Sequence, residues 1–511
     1  MATTARTAGG TRSRSPAQIW SSVRASGDAQ ILVAIVIVGA VARFATLSSQ
    51  SYWLDEATTV HELGLSFGAM LHAWSSVEAD PPLYFVIAWP WARVFGLGEA
   101  GVRSLSAVFG TALIPVLYLA GRELVSRRAG LVAAAFAAIN PFLIWYSQDA
   151  HEYMLMALLC TASLLFFARC WRRGSRRDLF WWAVLSALTL STMYFAGLLV
   201  AAEGVLLVWR RRDRASVLAL ASQAVVLGVW IPHLIPQLRN PQQWVTGQPL
   251  SIRMQQVPIT FGLGSLYQGP LVHDGLLAAA VVAVLVLGLL LTGAGDRQLR
   301  GAGVAALLAA VVIMVPLVLA LIGSDGFIAR ALMPAWPPLA IVIAAACTAN
   351  RARLPGAALG LVLAGLFVWS GLKIDSDSVY QRPDWREVAA ALGTAHGTRA
   401  IVAYPGQFAT APLSLYLKGT PWTGAGAPPG IGSGPVTISE LDIVGSTAES
   451  LSRLPAGIRL ISARAVNIYQ VDRFALATPW HTDSVAIGAR ALTLLGPTPP
   501  GLAVMIQRAA P

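Results

Sequence analysis

Apolar residues in this chain fall in long unbroken stretches rather than in alternation or on one helical face. The first stretch runs from Ile31 to Leu47, and comparable ones recur as far as Lys373. Crossing roughly 30 Å of hydrocarbon takes about 20 helical residues, and lipid obliges the backbone to satisfy its polar groups internally. The pattern predicts about eleven spanning helices, near 29–47, 102–122, 129–146, 152–171, 179–193, 195–209, 216–236, 275–293, 302–322, 328–348 and 356–373. The run Pro82–Phe95 is short, carries Pro90 and Arg93, and would invert every later helix if it spanned. With Leu65–Trp74 it reads as helices lying along the outer interface, where Trp74, Tyr84, Trp89 and Trp91 suit headgroup depth.

After Lys373 the pattern changes. Strand-like runs at Ala400–Ala403, Val436–Leu441, Arg459–Ile461 and Ile468–Val471 accompany a helix-like stretch, Trp385–Leu392, with frequent Pro and Gly between them. Residues 374–511 therefore read as an α/β domain outside the membrane. Residues 1–28 are rich in Ala, Thr, Ser and Arg and read as a disordered cytoplasmic tail. No clear small-residue cleavage site follows the first apolar run, which reads as a retained helix. Three parts result: 1–28, a membrane domain at 29–373, and an outer domain at 374–511.

Composition agrees. Of 511 residues, 56% are hydrophobic and 12% charged, with mean hydropathy +0.61, which defines a polytopic α-helical membrane protein. The net charge of +12 comes from arginines in short loops. Arg122, Arg127 and Arg128 follow the second helix, Arg172, Arg173, Arg176 and Arg177 the fourth, Arg210–Arg212 and Arg214 the sixth, Arg297 and Arg300 the eighth, Arg351 and Arg353 the tenth. All fall on one side, as do those before the first helix. By the positive-inside rule that side is cytoplasmic, so the N-terminus lies inside and the outer domain outside the plasma membrane. No basic stretch is interleaved with exposed aromatics, which argues against nucleic acid. Cys160, Cys170 and Cys347 lie in or at the ends of apolar runs and form neither a disulfide framework nor a metal cluster. Heavy use of Ala, Gly, Arg and Val points to a GC-rich bacterial genome.

Polar groups collect on the outer side. Asp55 and Glu56 follow the first helix within Tyr52-Trp53-Leu54-Asp55-Glu56; Asp149, His151 and Glu152 lie between the third and fourth; Arg103 and Arg330 sit at the outer ends of two others. Carboxylates beside a bilayer are costly unless water, a cation or a substrate compensates them. A guanidinium binds phosphate bidentately, and a carboxylate can deprotonate an acceptor hydroxyl. Together they fit transfer of a group from a membrane-held phosphate donor to a hydroxyl. Plainer readings stand beside this one: Asp149 and Glu152 favour a helix N-terminus, Arg103 and Arg330 snorkel to the interface, and His151 is a structural hydrogen-bonder. Glu203, deep in the sixth helix, has no account beyond pairing with a neighbouring helix.

Four successive motifs carry a resemblance: Trp53-Leu54-Asp55-Glu56, Pro81-Pro82-Leu83-Tyr84, Arg103-Ser104-Leu105-Ser106, and Tyr146-Ser147-Gln148-Asp149-Ala150-His151-Glu152-Tyr153. The chain resembles the GT-C membrane glycosyltransferases, in the branch of the protein O-mannosyltransferases and lipid A aminoarabinose transferases. Arg330-Ala331-Leu332-Met333-Pro334 is similar to that branch's late Arg-Tyr-Leu-Leu-Pro pattern. Tyr380-Gln381-Arg382-Pro383-Asp384-Trp385-Arg386 resembles a motif opening the outer domain. The likeness covers about residues 30–390. His151 departs from it, standing where members often have Arg.

The resemblance implies an inverting transferase that moves a sugar, mannose first among the candidates, from a polyprenyl phosphate to an acceptor hydroxyl on the outer face. Asp55 would be the general base, Arg103 a donor-phosphate contact, and Asp149 and Glu152 acceptor or cation contacts; read directly, the residues add Arg330 at the donor phosphate and Glu56 and His151 among the acceptor or cation contacts. Arabinose, glucose and aminoarabinose stay open as sugars, and a glycan, glycolipid or protein as acceptor. No cofactor is identified; a divalent cation held by Asp55, Asp149 and Glu152 stays open. The rival readings are a transporter or flippase of lipid-linked sugars, which would want ionisable groups near the midplane, and an assembly scaffold that has lost activity.

Overall fold

The computed structural model describes residues 27–77, 80–239, 247–323, 326–404, 406–423, 434–445, 456–495 and 502–508. The tail expected at 1–28 lies outside the described residues but for its last two. In chain order the helices are α1 (Gly27–Phe44), α2 (Leu54–Gly64), α3 (Phe67–Val77), α4 (Leu83–Phe95), α5 (Glu99–Leu124), α6 (Arg127–Ile139), α7 (Pro141–Ser147), α8 (Tyr153–Arg173), α9 (Arg176–Leu190), α10 (Gly197–Arg211), α11 (Arg214–Arg239), α12 (Leu250–Leu263), α13 (Gly275–Gly293), α14 (Asp296–Leu321), α15 (Trp336–Cys347) and α16 (Arg353–Ser376).

Among the described residues, seven helices are long and apolar enough to cross a membrane, or eight if the bent pair α6–α7 is one span. The chain is thus a multi-pass helical membrane protein, with fewer full-length spans than the sequence pattern suggests. Three expected spans are short: α9 and α10 have 15 residues each and α15 has 12, or about 18–23 Å of helix. For α15 the apolar run reflects burial in protein: every residue from Trp336 to Cys347 except Leu339 and Ile343 is buried, whereas α9 and α10 keep exposed apolar side chains such as Phe180, Trp181 and Val205. Helix α12 was not expected, because Arg253, Gln255 and Gln256 interrupt its apolar pattern. Glu203 is paired with α9, whose Trp182 donates Nε1–H to Glu203 Oε2 at 2.8 Å.

The break between α6 and α7 shows how the sequence aims the site. Pro141 has no N–H, so the carbonyl of Ala137 loses its helical partner. Arg43, buried on α1, supplies the missing donors: Nη2 to Ala137 O at 2.7 Å and Nη1 to Ala138 O at 3.0 Å. Asn140 caps α7 by accepting from Leu143 N at 3.1 Å, and the chain turns by 57°. Arg43 Nε also donates to Ser147 Oγ at 3.0 Å, against a bare Gly110 on α5. A Cβ there would collide with Ser147 Oγ and Arg43 Nε. Gly110→Ala is expected to destabilise the protein by about 1–3 kcal/mol through overpacking; an unchanged unfolding temperature in detergent would show that the pocket yields.

The C-terminal α/β region, termed the outer domain for the side expected of it, has α17 (Trp385–Leu392), β1 (Arg399–Ala403), α18 (Gly406–Tyr416), β2 (Val436–Gly445), β3 (Ile458–Val466), β4 (Tyr469–Thr482), α19 (Ser484–Leu495) and β5 (Ala503–Gln507). The sheet order is β3-β4-β2-β1-β5, with β1 and β2 parallel and the other pairs antiparallel. Helices α17 and α18 cover one face, burying Trp385, Val388 and Leu413 on Ile401 and Val471. Ile487 of α19 packs on the other, with Val402 and Phe474. The domain is tied to the segment between α1 and α2: Ser51 Oγ donates to Pro383 O at 2.8 Å and accepts from Trp385 N at 2.9 Å. Tyr416 OH donates to Glu99 Oε1 at 2.8 Å and accepts from Tyr52 N at 2.8 Å.

Candidate active site

Asp55 and Glu56 sit in the first turn of α2, a separate helix, rather than at the mouth of the first span. Unpaired N–H groups and the helix dipole favour carboxylates there. Successive helical residues point about 100° apart, so the two adjacent acids serve different surroundings. Glu56 turns into the protein, with its side chain 0% exposed, whereas that of Asp55 is 18% exposed.

Glu56 meets Arg103 in a two-pronged pair, Nε to Oε1 and Nη2 to Oε2, each at 2.6 Å. The remaining donors of Arg103 go to carbonyls just beyond the C-terminus of α1: Nη1 to Leu47 O at 2.8 Å and Gln50 O at 2.7 Å, Nη2 to Ser51 O at 2.9 Å. All five N–H groups of this buried guanidinium are therefore used within the protein. That differs from the phosphate contact expected of Arg103, and the reason is the chain's wrap from 47 to 56 around it. Ala150 N also donates to Glu56 Oε1 at 3.0 Å. Burial works against the charge on Glu56, but Arg103 and Arg382 outweigh it and hold the carboxyl below its ordinary range.

Arg382 joins the site from the segment leading into the outer domain. It lies 3.6 Å from Glu56 and 3.6 Å from Asp149, donates to Gln148 O at 2.7 Å, and stacks over Trp145 at 4.7 Å. Its motif resembles one that opens the outer domain, yet the motif holds two arginines, Arg382 and Arg386, and nothing in the sequence separates the one that enters the site.

Asp149 is fully buried in the turn between α7 and α8. Trp53 Nε1 donates to its Oδ1 at 3.1 Å, while Oδ2 has no hydrogen-bond partner among the described residues. Burial, reinforced by the charges of Glu56 and Asp55, pushes its pKa up to about 7 against the pull of Arg382 and His151. Because the folded value lies above the ordinary 3.8, the fold binds this proton more tightly than the unfolded chain does. Its contribution to stability is complete below about pH 4 and falls as pH rises to about 7. Asp149→Asn is expected to flatten the unfolding temperature across that window; an unaltered slope between wild type and variant would contradict it.

Asp55 is the member that faces outward. Its Oδ2 accepts from Arg330 Nη1 at 2.7 Å and from Tyr153 OH at 3.2 Å, and its Oδ1 takes no hydrogen bond among the described residues. Arg330 lies in the turn before α15, flanked by the rings of Trp53 at 5.8 Å and Tyr153 at 5.7 Å. Arg253 of α12 steadies that turn, donating to Phe327 O at 3.0 Å. His151 and Glu152 point to a neighbouring polar cluster: His151 Nε2 lies 3.0 Å from Glu152 and Nδ1 3.0 Å from Thr59 Oγ1.

The expected residues thus divide. Asp55, Arg330, Asp149, Glu56 and Arg103 converge through Trp53 and Arg382, while His151 and Glu152 pair beside them. Among the described residues no group of three or more His, Cys, Asp or Glu is placed to hold a metal ion. The three acids named for a divalent cation are not gathered together: Asp55 pairs with Arg330, Glu152 with His151, and Asp149 lies against Arg382 and Trp53, so the residues present do not fit the ion left open from the sequence.

A family profile described as dolichyl-phosphate-mannose-protein mannosyltransferase matches residues 79–235, which include Arg103 and Asp149. The fold is similar to ArnT from Cupriavidus metallidurans in the apo state, at 15% identity and TM-score 0.55, covering 88% of this chain and 98% of that one. The undecaprenyl phosphate-bound structure of the same protein matches at 14% identity and TM-score 0.53, with the same coverage. The arabinofuranosyltransferase AftD from Mycobacteria matches at 17% identity and TM-score 0.48, covering 88% of this chain and 40% of that one. No curated protein matches by sequence. The fold is that of the GT-C membrane glycosyltransferases.

Proposed function

We propose that this protein is an inverting glycosyltransferase that moves a sugar from a polyprenyl-phosphate donor to an acceptor hydroxyl at the membrane face where Asp55 lies. The carrying observation is the Asp55–Arg330 pair, a partly exposed carboxylate on a guanidinium above the buried Glu56–Arg103–Arg382–Asp149 network. The bound lipid named for the ArnT structure supports a polyprenyl-phosphate donor, and the mannose in the family profile's description supports trying that sugar first.

In this reading the donor phosphate engages Arg330, whose planar fork suits it. The acceptor O–H donates to Asp55. Its oxygen attacks the anomeric carbon opposite the phosphate as Asp55 takes the proton, the bond between anomeric carbon and phosphate oxygen breaks, and polyprenyl phosphate leaves with its electron pair. Arg330 stabilises that developing charge. Arg103, saturated internally, is a positioning residue for α2, and Arg382 holds Asp149 and Glu56 in place. The arginine-rich face opposite Asp55 is cytoplasmic, so transfer occurs on the outer side of the plasma membrane.

The test is purified full-length protein with radiolabelled polyprenyl phosphates carrying mannose, arabinose, glucose or aminoarabinose, followed by determination of the product anomer. Transfer with inversion supports the reading. Retention of configuration would refute direct displacement. Movement of labelled lipid between leaflets of proteoliposomes without transfer would install the flippase instead.

A further inference from the structure

At the other end of α5 from Arg103, about 28 Å along the helix, lies a cavity of about 670 Å³. It is walled by the end of α5, the start of α6, the end of α8, the turn between α13 and α14, and Asn350. Five arginines line it, Arg122, Arg127, Arg172, Arg173 and Arg297, against the carboxylates Glu123 and Asp296. Glu123 is buried and already held by Arg172 at 3.1 Å and Arg173 at 2.6 Å. Its charge is spent inside the wall. Arg127 reaches only the edge of Asp28, at 3.7 Å, and Arg297 makes no ion pair among the described residues. The cavity therefore presents a surplus of positive charge at one end of a membrane bundle.

The walls are set by close helix packing. A Cβ on Gly301 of α14 would collide with the carbonyl of Leu124 on α5, and one on Gly130 of α6 with that of Tyr118. Those glycines let the three helix ends meet, so the arginines are gathered by the fold and not only by the sequence. One buried polar atom is left over. Gln298 is 5% exposed and lines the cavity. Its Nε2 donates to Ala345 O at 3.3 Å and Thr348 O at 3.1 Å, which orients the amide, and its Oε1 has no partner. A buried acceptor without a donor is costly. A ligand with anionic oxygens would answer the arginines, while the amide of Gln298 fixes the wall behind them.

We propose that this cavity binds the phosphate headgroup of an anionic membrane phospholipid through its arginines. Basic pockets between transmembrane helices suit such headgroups, and arginine forks suit phosphate oxygens. The site is separate from Asp55 and does not depend on the reaction assigned there.

The experiment titrates the purified full chain by native mass spectrometry with cardiolipin, phosphatidylglycerol, phosphatidylcholine and, as the soluble source of phosphate, sodium pyrophosphate. The expected result is retention of cardiolipin and phosphatidylglycerol over phosphatidylcholine. R127Q/R297Q is expected to weaken cardiolipin retention by about tenfold or more. Both side chains are exposed, and R297Q alone, expected to give a smaller loss in the same direction, serves should the double variant not fold. Equal retention of phosphatidylcholine, undiminished retention by a folded variant, or pyrophosphate binding with no lipid preference would each overturn the assignment.

Discussion

Asp55→Asn is expected to lower turnover by about 10²–10⁴, the usual contribution of a positioned general base, while the protein folds as before. Asparagine keeps an oxygen to accept from Arg330 and Tyr153, which now meet Asp55 Oδ2 at 2.7 and 3.2 Å, so the local geometry persists. What it lacks is the capacity to take a proton. The pair is partly buried, each side chain 18% exposed, so loss of its charge costs less than at a fully buried pair. The measurement is transfer from labelled donor beside an unfolding curve in detergent. Turnover within threefold of wild type would remove Asp55 from its role and leave the network beneath it as structure only.

The neighbouring residue is expected to give the reverse outcome. Glu56→Ala leaves Arg103 and Arg382 as buried cations facing an empty site, and leaves Ala150 N–H without its acceptor. Removing one partner of a buried pair costs about 3–5 kcal/mol, because the other charge stays behind desolvated. The three carbonyls that Arg103 holds would loosen with it, and with them the chain from α1 to α2. Loss of monodisperse protein, or an unfolding temperature far below that of Asp55→Asn, is the expected reading. A Glu56→Ala protein as stable as wild type would show that water or a rearranged side chain compensates the guanidinium. The two variants separate chemistry from scaffold at adjacent positions.

How far the sequence foretold this depends on the kind of interaction. The acid pair at 55–56, the cluster at 149–152 and the arginines at 103 and 330 were found by charge standing next to apolar runs, and the structure gathers most of them. Their pairing was not legible. Which of two adjacent carboxylates faces inward follows from a 100° rotation whose zero is set by where α2 begins, and α2 starts only after a turn that Arg103 itself holds. Arg382 was invisible as a site residue because its partners come from α2 and from the turn before α8, far away in sequence. The short helix α15 was read as a full span because burial in protein and burial in lipid select the same residues. The Pro141 break carried its own signal, a missing donor, yet the residue that answers it, Arg43, belongs to another helix.

Hydropathy is a sum over neighbouring residues, so the chain alone was enough to set its class, the rough place of its helices, the change to an α/β domain after Lys373 and the side on which arginine accumulates. Hydrogen bonds and ion pairs join residues that only packing brings within 3 Å. Tertiary structure therefore decided that Arg103 is consumed by Glu56 and three carbonyls, that Arg330 is the cation beside Asp55, that Arg382 reaches in from the outer domain, and that five scattered arginines line one cavity on the opposite face.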